Sequence, residues 1–468
     1  MALTSDEQAI QTRLDSELTV ARPIFDLLDR YYDGAQQLKQ LGLAIPPELA
    51  RFTVVVNWPR VVVDAIADRL DVKGFRLAGA ETGDEDLWAL WQANQMDEQD
   101  MLAHLDYLVF GRTYKCVGVN AQDPRNPLIT VESPRELITD RDPRTGQVRA
   151  AYRASSRNEA GEVEVRTLYL PNVTIWQTLR DGVWVEDRDE HGLGVVPVVP
   201  TFRRRRTTIP QHRRLQGTSA MDDVIPITDS AARNLTNAQV AQETHAVPAR
   251  GVLGATKGDF VDQNGKPLPQ WEAYFGSVWA LANKDAKTFQ FDSSDMANFE
   301  RMHNLYARSA SGVSGLPPNY FGLAADDAAS ADAIRSREAR LVKIAERDQV
   351  ALGNSDEQVL RIAARIRDGV WSDDMVGMET LWYDAGTPTV AQRTDAVVKL
   401  YAAVDTMGRP LVPREMAMEE LGWGPTKIAR AKQLLADEER DAMRDPYLER
   451  QNEKGAQDGA AGAAAVGA

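Results

Sequence analysis

Gly217-Thr218-Ser219-Ala220-Met221 opens a stretch that runs to Gly369, and Gly315-Leu316-Pro317-Pro318-Asn319-Tyr320-Phe321-Gly322 punctuates it. From Thr218 to Thr244, Met221, Val224, Ile225, Ala231, Ala232, Leu235 and Val240 recur at helical spacing. Pro226 lies early enough to bend the first turns without breaking that helix. Beyond Pro248 come short β-type pieces with an Asn264-Gly265 turn, aromatics at Trp271, Tyr274, Phe275 and Trp279, and strand-like Lys287-Thr288-Phe289-Gln290-Phe291. Ser293 or Ser294 caps a return helix that carries Met296, Phe299, Met302, Leu305 and Tyr306. After the Pro317-Pro318 loop a single helix is expected from about Ala331 to Asp368, striped by Ile334, Leu341, Ile344, Val359, Ile362 and Ile366. At ~1.5 Å per residue it spans roughly 57 Å. Helix out, β tip, helix back is a capped hairpin. It is a poor frame for an active site and a good stave for a ring of identical copies around a hole.

Upstream, Thr4-Ser5-Asp6-Glu7 is a capping pattern before Ile10, Leu14, Leu18 and Ala21, and Pro23 restarts the chain into a second helix that Gly34 closes. Asn57-Trp58-Pro59-Arg60 places Pro59 in the first turn of a helix carrying Val62, Val63, Ile66, Ala67 and Leu70. One further helix is expected around Asp84–Phe110, ended by Gly111. From there to about Phe202 the period becomes alternating: Val117/Val119, Ile129/Val131, Val163/Val165, Val173/Ile175 and Val183/Val185 mark short strands. Asp142-Pro143-Arg144-Thr145-Gly146 and Arg180-Asp181-Gly182 are hairpin turns. Helices follow the long one at Val390–Asp405 and Lys427–Arg444, and the Gly/Ala-rich end from Gly455 carries little that could form a core.

A chain of 468 residues exceeds one ordinary core, so two or three domains are expected. Its single cysteine, Cys116, sits in an apolar stretch and reads as a core thiol, and with five histidines no Cys/His zinc cluster can be assembled. The opening Met1-Ala2-Leu3-Thr4 has no basic-then-apolar leader, and no apolar run approaches the roughly 18–20 residues that span a bilayer, so no membrane partner is expected. The net charge is −15. Proteins that grip nucleic acid bring clustered Lys and Arg, so any meeting with DNA should be weak, guiding more than gripping. The concentrated basic patch is Arg203, Arg204, Arg205 and Arg206, with Arg213 and Arg214. It is either a contact for DNA or acidic neighbours, or a solvated, subunit-bridging loop.

Catalytic signatures are missing. Gly265-Lys266 runs into Pro267 without the upstream glycine of a phosphate loop, and there is no G-x-G-x-x-G, H-E-x-x-H or G-x-S-x-G. Ser314 in Gly312-Val313-Ser314-Gly315 is followed by Leu316 and reads as a turn. Asp97, Glu98 and Asp100 read as a solvated helix face rather than magnesium ligands, and His104, His212, His245 and His303 are scattered without partner spacing. Neither enzyme chemistry nor a cofactor is expected.

These residues together resemble the portal proteins of tailed bacteriophages, closest to the siphophage type of actinobacterial phages. The carriers are Tyr31-Tyr32-Asp33-Gly34, Asn57-Trp58-Pro59-Arg60-Val61-Val62-Val63-Asp64, Phe110-Gly111-Arg112-Thr113-Tyr114, Gly217-Thr218-Ser219, and Gly315–Gly322 followed by Ser330-Ala331-Asp332-Ala333-Ile334. The resemblance implies an α+β, mainly helical fold with wing, stem, clip and crown regions, assembling as a ring of typically about twelve copies. It implies a wing over 1–216, stem helices over 217–246 and 293–314, and a β-rich clip over 247–292. A tunnel loop over 315–330, a long helix and wing return over 331–410, crown helices over 411–450 and a disordered tail over 451–468 complete it. The implied function is the channel at the unique vertex of the virion, assembled in the host cytoplasm, through which double-stranded DNA is packaged and later ejected. The implied partners are the terminase large subunit, the head–tail adaptor, and the major capsid and scaffold proteins. Another phage head or adaptor protein without a channel is the alternative; a packaging nuclease or ATPase fits less well. Asn319, Tyr320 and Phe321, with Asp326 and Asp327, are expected to face the channel, the alternative being that Tyr320 and Phe321 anchor the loop into the wing.

Overall fold

The computed structural model describes residues 3–36, 54–157, 162–206, 216–245, 250–253, 287–290, 296–323, 331–386, 390–404, 410, 412–424 and 426–440. Helix α1 (Ser5–Asp33) opens with a reciprocal cap: Thr4 Oγ1 accepts from the Glu7 amide while the Glu7 carboxylate accepts from the Thr4 amide. It passes through Pro23 without restarting, contrary to the two helices expected. An interior proline costs about 3 kcal/mol, but the stripe Leu14, Leu18, Ala21, Phe25 and Leu28 is buried on both sides of it and holds the helix continuous. Gly34, at φ 71, ends α1.

Helix α2 (Trp58–Ala67) begins on Pro59, and β1 (Val72–Arg76) follows. The single helix expected over Asp84–Phe110 is two, α3 (Glu85–Ala93) and α4 (Met96–Phe110). Asn94 makes the break: its amide donates to the carbonyls of Leu90 and Pro127, its oxygen accepts from the Ile129 amide, and Gln95 turns left-handed at φ 54.

Strands β2 (Arg112–Gly118), β3 (Leu128–Glu132), β4 (Leu137–Arg141), β5 (Val148–Arg157), β6 (Val163–Tyr169), β7 (Thr174–Arg180), β8 (Val183–Asp189) and β9 (Val198–Phe202) follow. They form a three-stranded sheet ordered β3-β2-β9 and a five-stranded antiparallel meander β4-β5-β6-β7-β8. Both expected hairpin turns are present: Asp142 Oδ1 accepts from the amides of Arg144 and Thr145, and Asp181 and Gly182 turn at φ 52 and 79. The N-terminal half of α1 lies on one face of the meander, with Leu14 and Leu18 against Ile138, Tyr152 and Ala154.

Helix α5 (Ile225–His245) starts seven residues later than Thr218, with Pro226 in its first turn, where a missing N–H costs nothing. Strands β10 (Arg250–Leu253) and β11 (Lys287–Gln290) pair antiparallel. The Asn264-Gly265 turn, the aromatics from Trp271 to Trp279, and Ser293 and Ser294 lie outside the described residues. Helix α6 (Ala297–Ser314) returns against α5. The long helix α7 (Ala331–Asp368) has the predicted bounds, and Gly369 follows it at φ 76. Strand β12 (Glu379–Trp382) returns to pair with β1, and helices α8 (Val390–Ala402), α9 (Arg414–Glu420) and one over 426–440 complete the described chain.

One core gathers α1, α2, α4, α5, α6 and the first half of α7 around Phe25, Trp58, Val62, Tyr107, Met221, Ala231, Ala310 and Leu341. A second gathers α3, β1, β3 and the second half of α7 around Phe75, Trp91, Ile129, Val359 and Ile362. The long helix is therefore shared by two cores, which fixes the hairpin to the strand-rich region.

Candidate functional site

The hairpin packs through small residues. Ala307, Ala310 and Ser314 of α6 are buried, as are Ala231 and Ala232 of α5, while Met302, Leu305 and Val313 point outward at 40–50% exposure. Small contact residues let two backbones approach closely, and the Asn234 amide donates across to the Phe299 carbonyl at 2.9 Å. Of the apolar residues read along this helix, Met302 and Leu305 lie on its free side, whereas Tyr306 packs against the core.

At the end of α6 the chain turns sharply. Gly315 sits at φ 80, and a Cβ there would lie 2.7 Å from Arg340 Nε, whose guanidinium donates from Nη1 to the Gly312 carbonyl. Pro318–Phe321 form a single 3-10 turn. Phe321 is buried, edge-on to Trp58 with ring centroids 5.7 Å apart, and Trp58 in turn meets the His303 ring at 5.3 Å. Burial lowers the His303 pKa. Of the three described residues expected to face a channel, Phe321 is therefore committed to the chain's own core, Tyr320 is half-buried against it, and Asn319 is exposed. Asp326 and Asp327 lie outside the described residues.

The arginine run is split by the fold. Arg203 is not surface: it is 1% exposed, its Nε donates to Asp348 Oδ2 at 3.1 Å, and Tyr107 donates to Asp348 Oδ1 at 3.0 Å. Burial pushes the Tyr107 hydroxyl well above its ordinary range, keeping it a donor. Arg204 turns left-handed at φ 46, lies 3.7 Å from Asp223, and is lowered in pKa by burial and by Arg203 beside it. Arg205 and Arg206 are exposed, and Arg213 and Arg214 lie outside the described residues. Of the two readings of the run, a contact patch or a solvated, subunit-bridging loop, Arg203 fits neither in this conformation, since its guanidinium is buried against Asp348. Nothing in the sequence linked those two residues, which are 145 positions apart.

Where the arginine turn meets the hairpin, backbones cross. The Arg203 amide donates to the Gly111 carbonyl, the Thr218 amide donates to the Arg203 carbonyl, and Arg112 reaches the Gln216 carbonyl. Gly111 and Gly217, at φ 73 and 86, touch so closely that a Cβ on either would strike the other strand's backbone.

Acidic side chains at the start of the hairpin are held within the chain. Tyr31 donates to both oxygens of Asp229, at 3.0 and 2.8 Å, and burial with that carboxylate pushes the Tyr31 hydroxyl up to about 12. Asp229 therefore turns onto α1, Asp223 faces Arg204, and the Glu243 side chain lies outside the described residues.

Asp97 and Glu98 are solvated as expected, but Asp100 is buried beside His104, Lys115 and Asp356. One ligand atom from each of Asp100, His104 and Asp356 falls within 4.8 Å of the others, the spacing of a metal site. Lys115 Nζ lies against both carboxylates and takes the place of the cation. Cys116 is buried, and burial pushes its thiol well above the ordinary range, so it is not a nucleophile.

Residues 12–444 match the family model described as phage portal protein, SPP1 Gp6-like. This chain belongs to that portal protein family. The portal protein is 37% identical over 425 residues to the portal protein of Mycobacterium phage D29, covering 88% of this chain and 85% of the relative. Against that of Mycobacterium phage L5 it is 37% identical over 426 residues with the same coverage. Among solved structures, a chain from the virion of a native gene transfer agent particle aligns with a TM-score of 0.42 at 14% identity, covering 85% of this chain and 99% of that one. A chain from the neck of the native particle, computed with C12 symmetry, aligns at 0.41, also at 14% identity, covering 82% and 95%. No described helix of the portal protein is long and apolar enough to cross a membrane.

Proposed function

We propose that copies of this portal protein close into a ring of about twelve subunits, with the α5–α6 hairpins side by side around a passage for double-stranded DNA. The single observation that carries this reading is the family match over residues 12–444. The hairpin's physics agrees: it is welded internally by small residues and leaves Met302, Leu305 and Val313 for a neighbouring copy. On this reading residues 217–246 and 293–314 are the stem, 247–292 the clip, 315–330 the tunnel loop and 411–450 the crown. The clip meets the terminase large subunit during packaging and the head–tail adaptor afterwards. The ring sits at one vertex of the virion, among capsid and scaffold proteins, after assembly in the host cytoplasm. Its work is passage without turnover. Asn319, with Tyr320 beside it and Asp326 and Asp327 in the same loop, is the part of the loop proposed to see DNA. Arg205 and Arg206 remain for a neighbouring copy or for DNA.

Mass photometry and electron microscopy of the purified chain test the proposal. A closed ring of about twelve copies with an axial hole of duplex width is expected, and a stable monomer or dimer under all assembly conditions refutes it.

A further inference from the structure

The buried group Asp100, His104, Lys115 and Asp356 ties together three elements that are distant in sequence: α4, β2 and the middle of α7. Lys115 and Asp356 are fully buried, and Asp100 and His104 are each 3% exposed. Lys115 Nζ contacts one oxygen of Asp100 and one of Asp356, while His104 Nε2 lies 3.1 Å from the other oxygen of Asp100. Trp91 lies 5.4 Å from the ammonium, and the Trp382 ring stacks at 5.7 Å from His104, so the group is walled by aromatics. Asp356 Oδ2 is buried and has no hydrogen-bond partner among the described residues. A carboxylate with one oxygen bare in a dry interior is costly, and a proton removes that cost.

Charge counting leads to the same place. Lys115 is shared between two carboxylates, and His104 stands against Asp100 alone, so Asp356 is the carboxylate left with half a cation. Other charges facing it are already occupied or sit outside. Asp71, on the turn before β1, faces His104. On β12, Glu379 pairs with Arg76. On α7 itself, Glu357 accepts from Thr380 and Asp348 is held by Arg203. On β3, Glu132 pairs with Arg153, and β9 brings no titratable side chain. A hollow of about 230 Å³ lined by Asp71, Asp97, Asp100, His104 and Tyr383 reaches the Asp100 side of the group and stops short of Asp356.

We propose that Asp100, His104, Lys115 and Asp356 form a proton-operated clasp that holds the middle of α7 against α4 and β2, closed while Asp356 carries a proton and loosened when it loses it. Two directions agree with this. Burial and the charge of Asp100 push Asp356 up to about 7, while His104 and Lys115 hold Asp100 far below the usual carboxylate range against the opposing effect of burial. Lys115 stays charged, because the two carboxylates outweigh its desolvation. The sign follows from Asp356: a folded-state pKa above the unfolded value means stability present in mild acid and lost as pH rises through about 7.

Hydrogen exchange by mass spectrometry on the full chain, corrected for intrinsic rates, tests the clasp in the peptides covering residues 348–360. Protection there should fall about tenfold between pH 6 and pH 8 in the wild type, and Asp356→Asn should show no such fall. Asp106, pushed to about 7 by its own burial and by Asp29, lies elsewhere on α4 and leaves exchange in this stretch of α7 as the discriminating readout. Protection of the wild-type peptides that is constant from pH 6 to pH 8 overturns the proposal whether or not the variant folds. A fall of the same size in Asp356→Asn overturns it as well.

Discussion

Without the Arg203 guanidinium, Asp348 and Tyr107 would face each other in a dry interior with one negative charge uncompensated. Breaking a buried pair from one side costs about 3–5 kcal/mol. Arg203→Ala should lower unfolding free energy by that amount in urea titration at neutral pH, while Arg205→Ala and Arg206→Ala, both on exposed side chains, should change it by less than about 0.5 kcal/mol. Equal, small effects at all three positions would contradict the division of the run described above. Gly217 gives a second test at this scale. Alanine there must accept φ 86 and also collide with the Gly111 carbonyl, so Gly217→Ala should prevent folding at physiological temperature, seen as loss of soluble expression. Gly182→Ala, at a comparable φ but in open space, should only lower the melting temperature by a few degrees.

At the scale of elements, the 3-10 turn is anchored by one ring. Phe321→Ala removes the edge contact with Trp58 and opens a void beneath the Pro-Pro loop, costing about 3–5 kcal/mol. Limited proteolysis should then cut between residues 315 and 330 faster than in the wild type, and unchanged cutting would mean that the loop is held by something else. The same element shows how far residue order alone could be read. Its Gly and Pro spacing located the turn correctly, because those residues act through their own backbone angles. Which side Phe321 faces depends on Trp58, more than 250 positions away, and no local pattern carries that. Helix bounds behaved alike. The long helix was legible at both ends, whereas the break at Asn94 hangs on hydrogen bonds to Pro127 and Ile129, and continuity through Pro23 on packing against several distant elements. Asp100 looked solvated because Lys115 and the Asp356 beside it arrive from other elements, although its spacing of four from His104 on the same helix was legible.

For the whole molecule, charge sets the expectation. A chain with net charge −15 gains little from releasing DNA counterions. The assembled protein should therefore fail to retain duplex DNA in a gel shift at about 0.15 M salt. Replacing Asn319 by Lys, which adds a cation to the exposed part of the loop, should create retention that disappears as salt is raised. Tight wild-type binding at that salt would argue against a low-friction passage.

The contact between Gly111 and Gly217 also bears on how such a chain can change over generations. The strand-bearing segment begins at Gly111 and ends at Gly217 on one spot, so its two ends already touch. Loops far from that junction, such as the Asp142–Gly146 and Asp181–Gly182 turns, can grow or shrink without moving the start of α5. A lineage is free to redecorate these turns while the α5–α6 hairpin keeps its length and pitch.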